Sequence, residues 1–190
     1  MSRRTFGEFS CSIARTVDVI GDAWTPLVLR DLFLGVDTFD ELVRDLGISR
    51  ALLSARLAHL TENEIVEGEI YSEHPPRRHY RLTRAGRDLV PVLIALMQWG
   101  DRWRAPAGPP LLLEHECGHV LTARLRCDEC GTSVEAASVS ALPGPGGRRS
   151  AGTAVLAERL AAIAEPSSAS KEHRSPANED APTPHEGKHR

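Results

Sequence analysis

Apolar residues recur at helical spacing through the first third of this chain, then alternate over a short stretch, then return to helical spacing. Ile13, Val17 and Ile20 form one stripe and predict a first helix over 11–20, broken at Gly21-Asp22. A second helix is predicted from Thr25-Pro26, with Thr25 as N-cap and Pro26 at the first helical position, where a missing N–H costs nothing. It turns Leu27, Val28, Leu29, Leu32 and Phe33 inward and stops near Gly35. Thr38 and Glu41 have the spacing of a capping box for a third helix with Phe39, Leu42, Val43 and Leu46 buried. Gly47 suits the turn that follows because it tolerates a positive φ, and Ser49 caps a fourth helix whose Leu53, Leu57 and Leu60 face the core.

From Ile65 to Ser72 the spacing becomes β-like, with Ile65, Glu67, Glu69 and Tyr71 on one side. His74-Pro75-Pro76-Arg77 makes a hairpin tip, and 78–82 the return strand. Thr83 caps a long last helix, which Pro91 must kink or restart. Its apolar side carries Leu89, Val92, Leu93, Leu96, Trp99 and Trp103. That is more apolar surface than one small domain needs, and the surplus predicts a dimer surface. The fold class is therefore mainly α with a small β-wing (α+β), a winged helix-turn-helix with flanking dimerisation helices.

Composition changes this picture little. The 190 residues carry a net charge of −3, which does not advertise nucleic-acid binding, although local distribution outweighs the sum. No apolar run is long enough to span a membrane, and the N-terminus lacks the apolar core of a signal peptide. A cytoplasmic protein is expected. Pro/Gly breakers divide the chain into a winged domain over 9–104, a Cys/His extension over 111–139, and a last part over 140–190. That last part holds a linker, a short amphipathic helix over 151–164, and from Glu165 a tail expected to be disordered. The tail histidines His173, His185 and His189 lack ligand spacing. No internal repeat stands out.

The helix-turn-helix over 38–60 is the arrangement whose second helix enters the DNA major groove. On the fourth helix Arg50, Ala51, Ser54, Ala55 and Ala58 share the face away from the core. Small side chains let a helix sit deep in a groove, and Arg can donate twice to guanine, so Arg50 and Ser54 are candidate base contacts. Arg56 points toward the fold and calls for an acid such as Glu41 or Asp31. At the wing, Arg77 and Arg78 can clasp phosphate or enter the minor groove; alternation puts them on opposite sides, so one of the two should be the main contact. Thr38 and Ser49, at helix starts, place backbone N–H groups where phosphate can be held.

Taken in order, several segments resemble the HxlR-type winged-helix regulators, relatives of the MarR type. They are the run from Cys11 to Arg15, that from Ile20 to Leu32, Phe39-Asp-Glu-Leu, the run from Ile48 to Leu57, Pro75-Pro-Arg-Arg-His-Tyr-Arg-Leu-Thr, and the helix end at 89–100. The resemblance covers about 9–104. It implies a homodimer whose first and last helices pair, binding double-stranded DNA at a two-fold symmetric site with half-sites roughly 34 Å apart. Repression is the commoner mode in such families. Ala51, Ala55 and Ala58 depart from relatives with a more basic recognition face. Cys11 stands where several members carry a redox- or electrophile-sensing thiol, and Arg15 is placed to stabilise a thiolate there.

The second strong pattern is His115-Glu-Cys117-Gly-His119 followed by Cys127-Asp-Glu-Cys130-Gly131. Zinc takes four ligands in a tetrahedron, and four protein ligands would close the site to catalysis. Cys117, Cys127 and Cys130 supply three thiolates; the fourth ligand is His115 or His119, with His115 favoured because His119 could face away from the knuckle turn. Residues 120–126 are strand-like and predict a small ribbon. Some members of the resembled family carry a similar tail, with His-x-x-Cys-Gly where this chain has His-x-Cys-Gly. A Cys127–Cys130 disulfide switch is the alternative. No Ser/His/Asp set, paired carboxylates or phosphate loop argues for an enzyme. The competing function class is a winged-helix module that binds protein through its zinc ribbon without reading DNA.

Overall fold

The structure, a computed structural model, describes residues 5–74 and 76–164. Pro75 of the hairpin tip, the expected tail from Glu165 and its histidines lie outside the described residues. The elements run α1 (Ser12–Ile20), α2 (Thr25–Phe33), α3 (Phe39–Leu46), α4 (Arg50–Glu62), β1 (Val66–Glu73), β2 (Pro76–Leu82), α5 (Arg84–Asp88), α6 (Val90–Arg104) and α7 (Ala154–Ala164). The strands β1 and β2 form one antiparallel hairpin, the wing.

One core joins them. Val28, Leu29 and Leu32 of α2 meet Leu42 of α3, Leu53, Leu57 and Leu60 of α4, Val66 and Leu82 of the wing base, and Leu93 of α6. Truncating one such leucine to alanine costs about 2–5 kcal/mol, so the leucine stripe of α4 fixes which face that helix presents to solvent. Gly47 closes the α3–α4 turn at φ 61°, in the left-handed region glycine favours. Ser49 caps α4 by accepting from Leu52 N–H at 3.3 Å. Pro91 restarts the last helix rather than kinking it: α5 ends at Asp88, and Pro91 sits in the first turn of α6.

Two expected caps take a different form. Thr25 is the first helical residue of α2, with Trp24 at the N-cap position. The capping acceptor is Asp22, whose Oδ1 accepts from Trp24 N–H at 2.9 Å and Thr25 N–H at 3.1 Å. A carboxylate carries more charge to a helix start than a hydroxyl does, and it wins the site. At α3 the Thr38 hydroxyl donates to Glu41 Oε2 at 2.5 Å, so the side chains bond each other instead of forming a reciprocal capping box.

The C-terminal part folds back on the N-terminal arm. Ser10 N–H donates to Ser150 Oγ at 3.0 Å, Ser10 Oγ donates to Gly146 O at 2.8 Å and accepts from Arg148 N–H at 3.2 Å. The Phe9 ring lies so close to Gly152 that a Cβ there would stand 2.1 Å from it. Cys11 follows directly, half-buried at the N-cap of α1.

Candidate nucleic-acid interface

The exposed face of α4 carries Arg50, Ala51, Ser54, Ala55 and Ala58, while its leucines are buried. The wing lies alongside. Between the two is a cleft of about 240 Å³ lined by Thr38, Arg50, Arg77 and Arg78, with Tyr71 and Tyr80 as its aromatic wall. A neighbouring cleft is lined by Ser54, Ala58 and Arg78. Arg78 thus stands between the two halves of the interface. Its chain crosses β1 at Gly68, where a Cβ would sit 3.4 Å from Arg78 Cδ.

Both wing arginines line the first cleft. The facing strand β1 has a register shift: Ile70 pairs with Arg78 but Ser72 with Arg77, leaving Tyr71 as an extra residue. Such a bulge increases the local twist and re-aims side chains.

Arg50 is held before any DNA arrives. Its Nη1 donates to Asp40 Oδ1 at 2.7 Å, and its guanidinium carbon lies 4.8 Å from the centre of the Phe39 ring. Both partners of the ion pair are about two-thirds exposed, at 67% and 69%. An exposed pair of this kind is worth about 0–1 kcal/mol, so Arg50 is oriented without being locked. Ser49 uses its hydroxyl oxygen as the cap acceptor, which leaves the O–H as a donor for phosphate. Thr38 differs, because its hydroxyl hydrogen is committed to Glu41 and the first turn of α3 holds two acids, Asp40 and Glu41. Those acids oppose an anion at that helix start.

Arg56 faces the fold as expected, but its partner is neither Glu41 nor Asp31. It donates to Asp22 Oδ2 at 3.1 Å, tying α4 to the start of α2. Burial alone would raise the Asp22 carboxyl. The Thr25 hydroxyl, the two backbone N–H groups and the Arg56 guanidinium together overcome burial and hold it below its ordinary value.

The wing is pinned by residues that sequence reasoning missed. His79 Nδ1 lies 2.9 Å from Asp37 Oδ1, Tyr80 N–H donates to Asp37 O at 2.8 Å, and Thr38 forms a backbone bridge with His79. The Tyr71 ring packs on the His79 ring at 4.3 Å. No spacing links position 37 to 79, so only the fold brings them together.

In the extension, Cys127 and Cys130 meet at one turn, and Thr132 Oγ1 lies 2.9 Å from the Cys130 sulfur. Hydrogen bonding by Thr132, then by Cys127, holds the Cys130 thiol below its ordinary value. The other two expected ligands, His115 and Cys117, lie on a separate turn. Among the described residues no three His, Cys, Asp or Glu side chains are gathered closely enough to hold a metal ion.

A recognition helix beside a pinned wing that carries Arg77 and Arg78 defines a winged helix-turn-helix DNA-binding protein. Residues 19–107 match the model of the HxlR-like helix-turn-helix family. An uncharacterized HTH-type transcriptional regulator of Mycobacterium tuberculosis, Rv3095, is 45% identical over 148 residues, spanning 77% of this chain and 92% of the relative. Another, sll1512 of Synechocystis sp., is 40% identical over 94 residues, 49% of this chain and 70% of the relative. The chain belongs to the HxlR-like helix-turn-helix family and is a DNA-binding transcriptional regulator, not an enzyme. Among solved structures it is similar to the proposed transcription factor PA1607, with TM-score 0.63 and 34% identity over 70% of this chain and 94% of that one. It is also similar to PA1374 from Pseudomonas aeruginosa, with TM-score 0.54 and 30% identity over 79% and 100%. The match to Rv3095 is too long to end before residue 108, so it runs on through the Cys/His extension.

Proposed function

We propose that this chain is a homodimeric repressor that occupies a two-fold symmetric operator. The observation that carries the DNA geometry is the cleft joining Arg50 of α4 to Arg77 and Arg78 of the wing. In this reading α4 enters the major groove, Arg50 and Ser54 meet base edges, and Arg77 and Arg78 hold the flanking backbone or minor groove. Ser49 adds a phosphate contact from the helix start. The dimer is supported by apolar faces left exposed among the described residues. Ile13 on α1 is 76% exposed, and Trp99 and Trp103 on α6 are 55% and 57% exposed. Repression follows if the bound dimer blocks a promoter, and the protein then acts in the cytoplasm. Among the described residues no helix is long and apolar enough to cross a membrane.

Duplexes selected from a random pool, followed by binding titrations over a salt series, test the reading. The expected result is an inverted-repeat consensus with affinity that falls steeply as salt rises. A failure to enrich any duplex at low salt would overturn it in favour of the protein-interaction module.

A further inference from the structure

The extension after α6 has no core of its own. From Leu113 to Val134 the side chains are exposed apart from Leu113, Leu121 and Cys127, which are half-buried. Two tight hairpins nevertheless form there, and they share one plan. In the first, Leu121 N–H donates to Leu113 O, Glu114 bridges Val120, and His115 N–H donates to His119 O. In the second, Val134 N–H donates to Leu125 O, Arg126 bridges Ser133, and Cys127 N–H donates to Thr132 O. Each tip closes on a left-handed glycine, Gly118 at φ 79° and Gly131 at φ 69°. The chain thus contains a structural repeat that its sequence conceals, because the second tip is one residue longer.

The shared register equates positions. His115 matches Cys127, Cys117 matches Cys130, and Gly118 matches Gly131. His119 matches Thr132, a residue of the return strand. One hairpin presents an imidazole and a thiol at its tip, and the other presents two thiols on one turn, closed by Gly131 N–H donating to Cys127 O at 2.8 Å. A two-hairpin unit without buried apolar surface needs a staple, and three thiolates with one imidazole form a donor set that zinc favours.

We propose that the paired hairpins bind one structural zinc ion through His115, Cys117, Cys127 and Cys130. The tips stand apart in this structure, so binding draws them together, and the ion supplies the ordering energy that a core would otherwise provide. His119 is not a ligand; its Nδ1 lies 3.1 Å from Cys117 O at the base of the tip. The connector between the hairpins is fixed to the winged domain. With its amide turned to suit both contacts, Gln98 of α6 donates to Ala123 O at 3.0 Å and accepts from Ala123 N–H at 2.8 Å. Zinc would therefore order the extension against the helix that carries Trp99 and Trp103.

The test uses the full chain, purified under reducing conditions and supplied with zinc. Native mass spectrometry is expected to show one ion per chain, and cobalt(II) in its place should give tetrahedral, thiolate-ligated absorption. Ser at Cys117, Cys127 or Cys130, or Asn at His115, should weaken binding at least about tenfold, while His119→Asn keeps it within about twofold. Circular dichroism identifies any variant that has lost its fold. The proposal fails if the reduced chain takes up no ion, or if a Cys127–Cys130 disulfide persists under reductant. It also fails if His119→Asn abolishes binding and His115→Asn does not. Metal content is the readout, so the outcome does not depend on whether the chain binds DNA.

Discussion

Arg50 and Arg56 stand six positions apart on one helix and have opposite roles, set by what surrounds each guanidinium. Arg50 rests on an exposed acid and an aromatic ring, so removing it should barely change stability. Arg50→Ala is expected to shift the melting temperature little while costing about 1–3 kcal/mol of specific DNA binding, roughly ten- to a hundredfold. Titration of the selected duplex against a scrambled one checks this; an equal loss on both would assign Arg50 to phosphate instead. Arg56 belongs to the fold. Its partner Asp22 is held below the usual carboxylate value, so the contribution of that acid is present above the unfolded value of about 4 and is lost as pH falls through the lower folded value. Asp22→Asn keeps a capping oxygen but loses the charge, so it should destabilise the protein at neutral pH by about 1–2 kcal/mol through loss of the ion pair and of the attraction to the helix start. The gap from wild type should close in acid. A gap that stays constant in denaturant melts down to that range would mean the charge of Asp22 does not matter.

At the scale of elements, α2, α3 and α4 were legible because each has one buried stripe and a punctuating residue. Leu53, Leu57 and Leu60 gave α4 its facing, Gly47 its turn, and Pro91 the restart of α6. The wing's aim was not legible. A bulge at Tyr71 shifts the register of β1 against the strand that carries Arg77 and Arg78, and nothing in local spacing announces it. The Asp37–His79 clasp was equally hidden, since it joins residues brought together only by the core. That clasp ties the wing to the segment that leads into α3. His79→Ala is therefore expected to weaken DNA binding by several-fold, an effect that disappears when the Arg77→Ala, Arg78→Ala wing is already disabled. A double-mutant cycle measures it; additive losses would show that His79 does not act through the wing. The junction of α5 with the wing base is also tight. A Cβ at Gly86 would stand 2.2 Å from Ile65 O, a backbone atom that cannot swing away. Gly86→Ala should lower stability by about 1–3 kcal/mol in a denaturant melt; an unchanged midpoint would show that the backbone yields there.

For the whole molecule, the question is what covers α1 and α6. Ile13 and Val17 on α1, and Val92, Leu96, Trp99 and Trp103 on α6, are exposed although a core of this size has room for apolar side chains. Scattered exposed apolar residues need no explanation, but six on the first helix and the last helix of one domain do. A second copy supplies the simplest cover, because a two-fold interface uses the same surface twice. The three tryptophans report on it. Trp24 packs against the core, whereas Trp99 and Trp103 lie on the uncovered face. If that face is the interface, emission should shift to the red and iodide quenching should rise as the protein is diluted through its dissociation constant. Leu96→Glu with Trp103→Glu should give a monomer by sedimentation velocity with its α2–α4 core intact. The same variant should keep its affinity for a single half-site but lose about 10²- to 10⁴-fold on the paired site, the gain that linkage of two weak contacts provides. A variant that stays dimeric, or loses half-site binding equally, would place the interface elsewhere and leave these apolar faces for another partner.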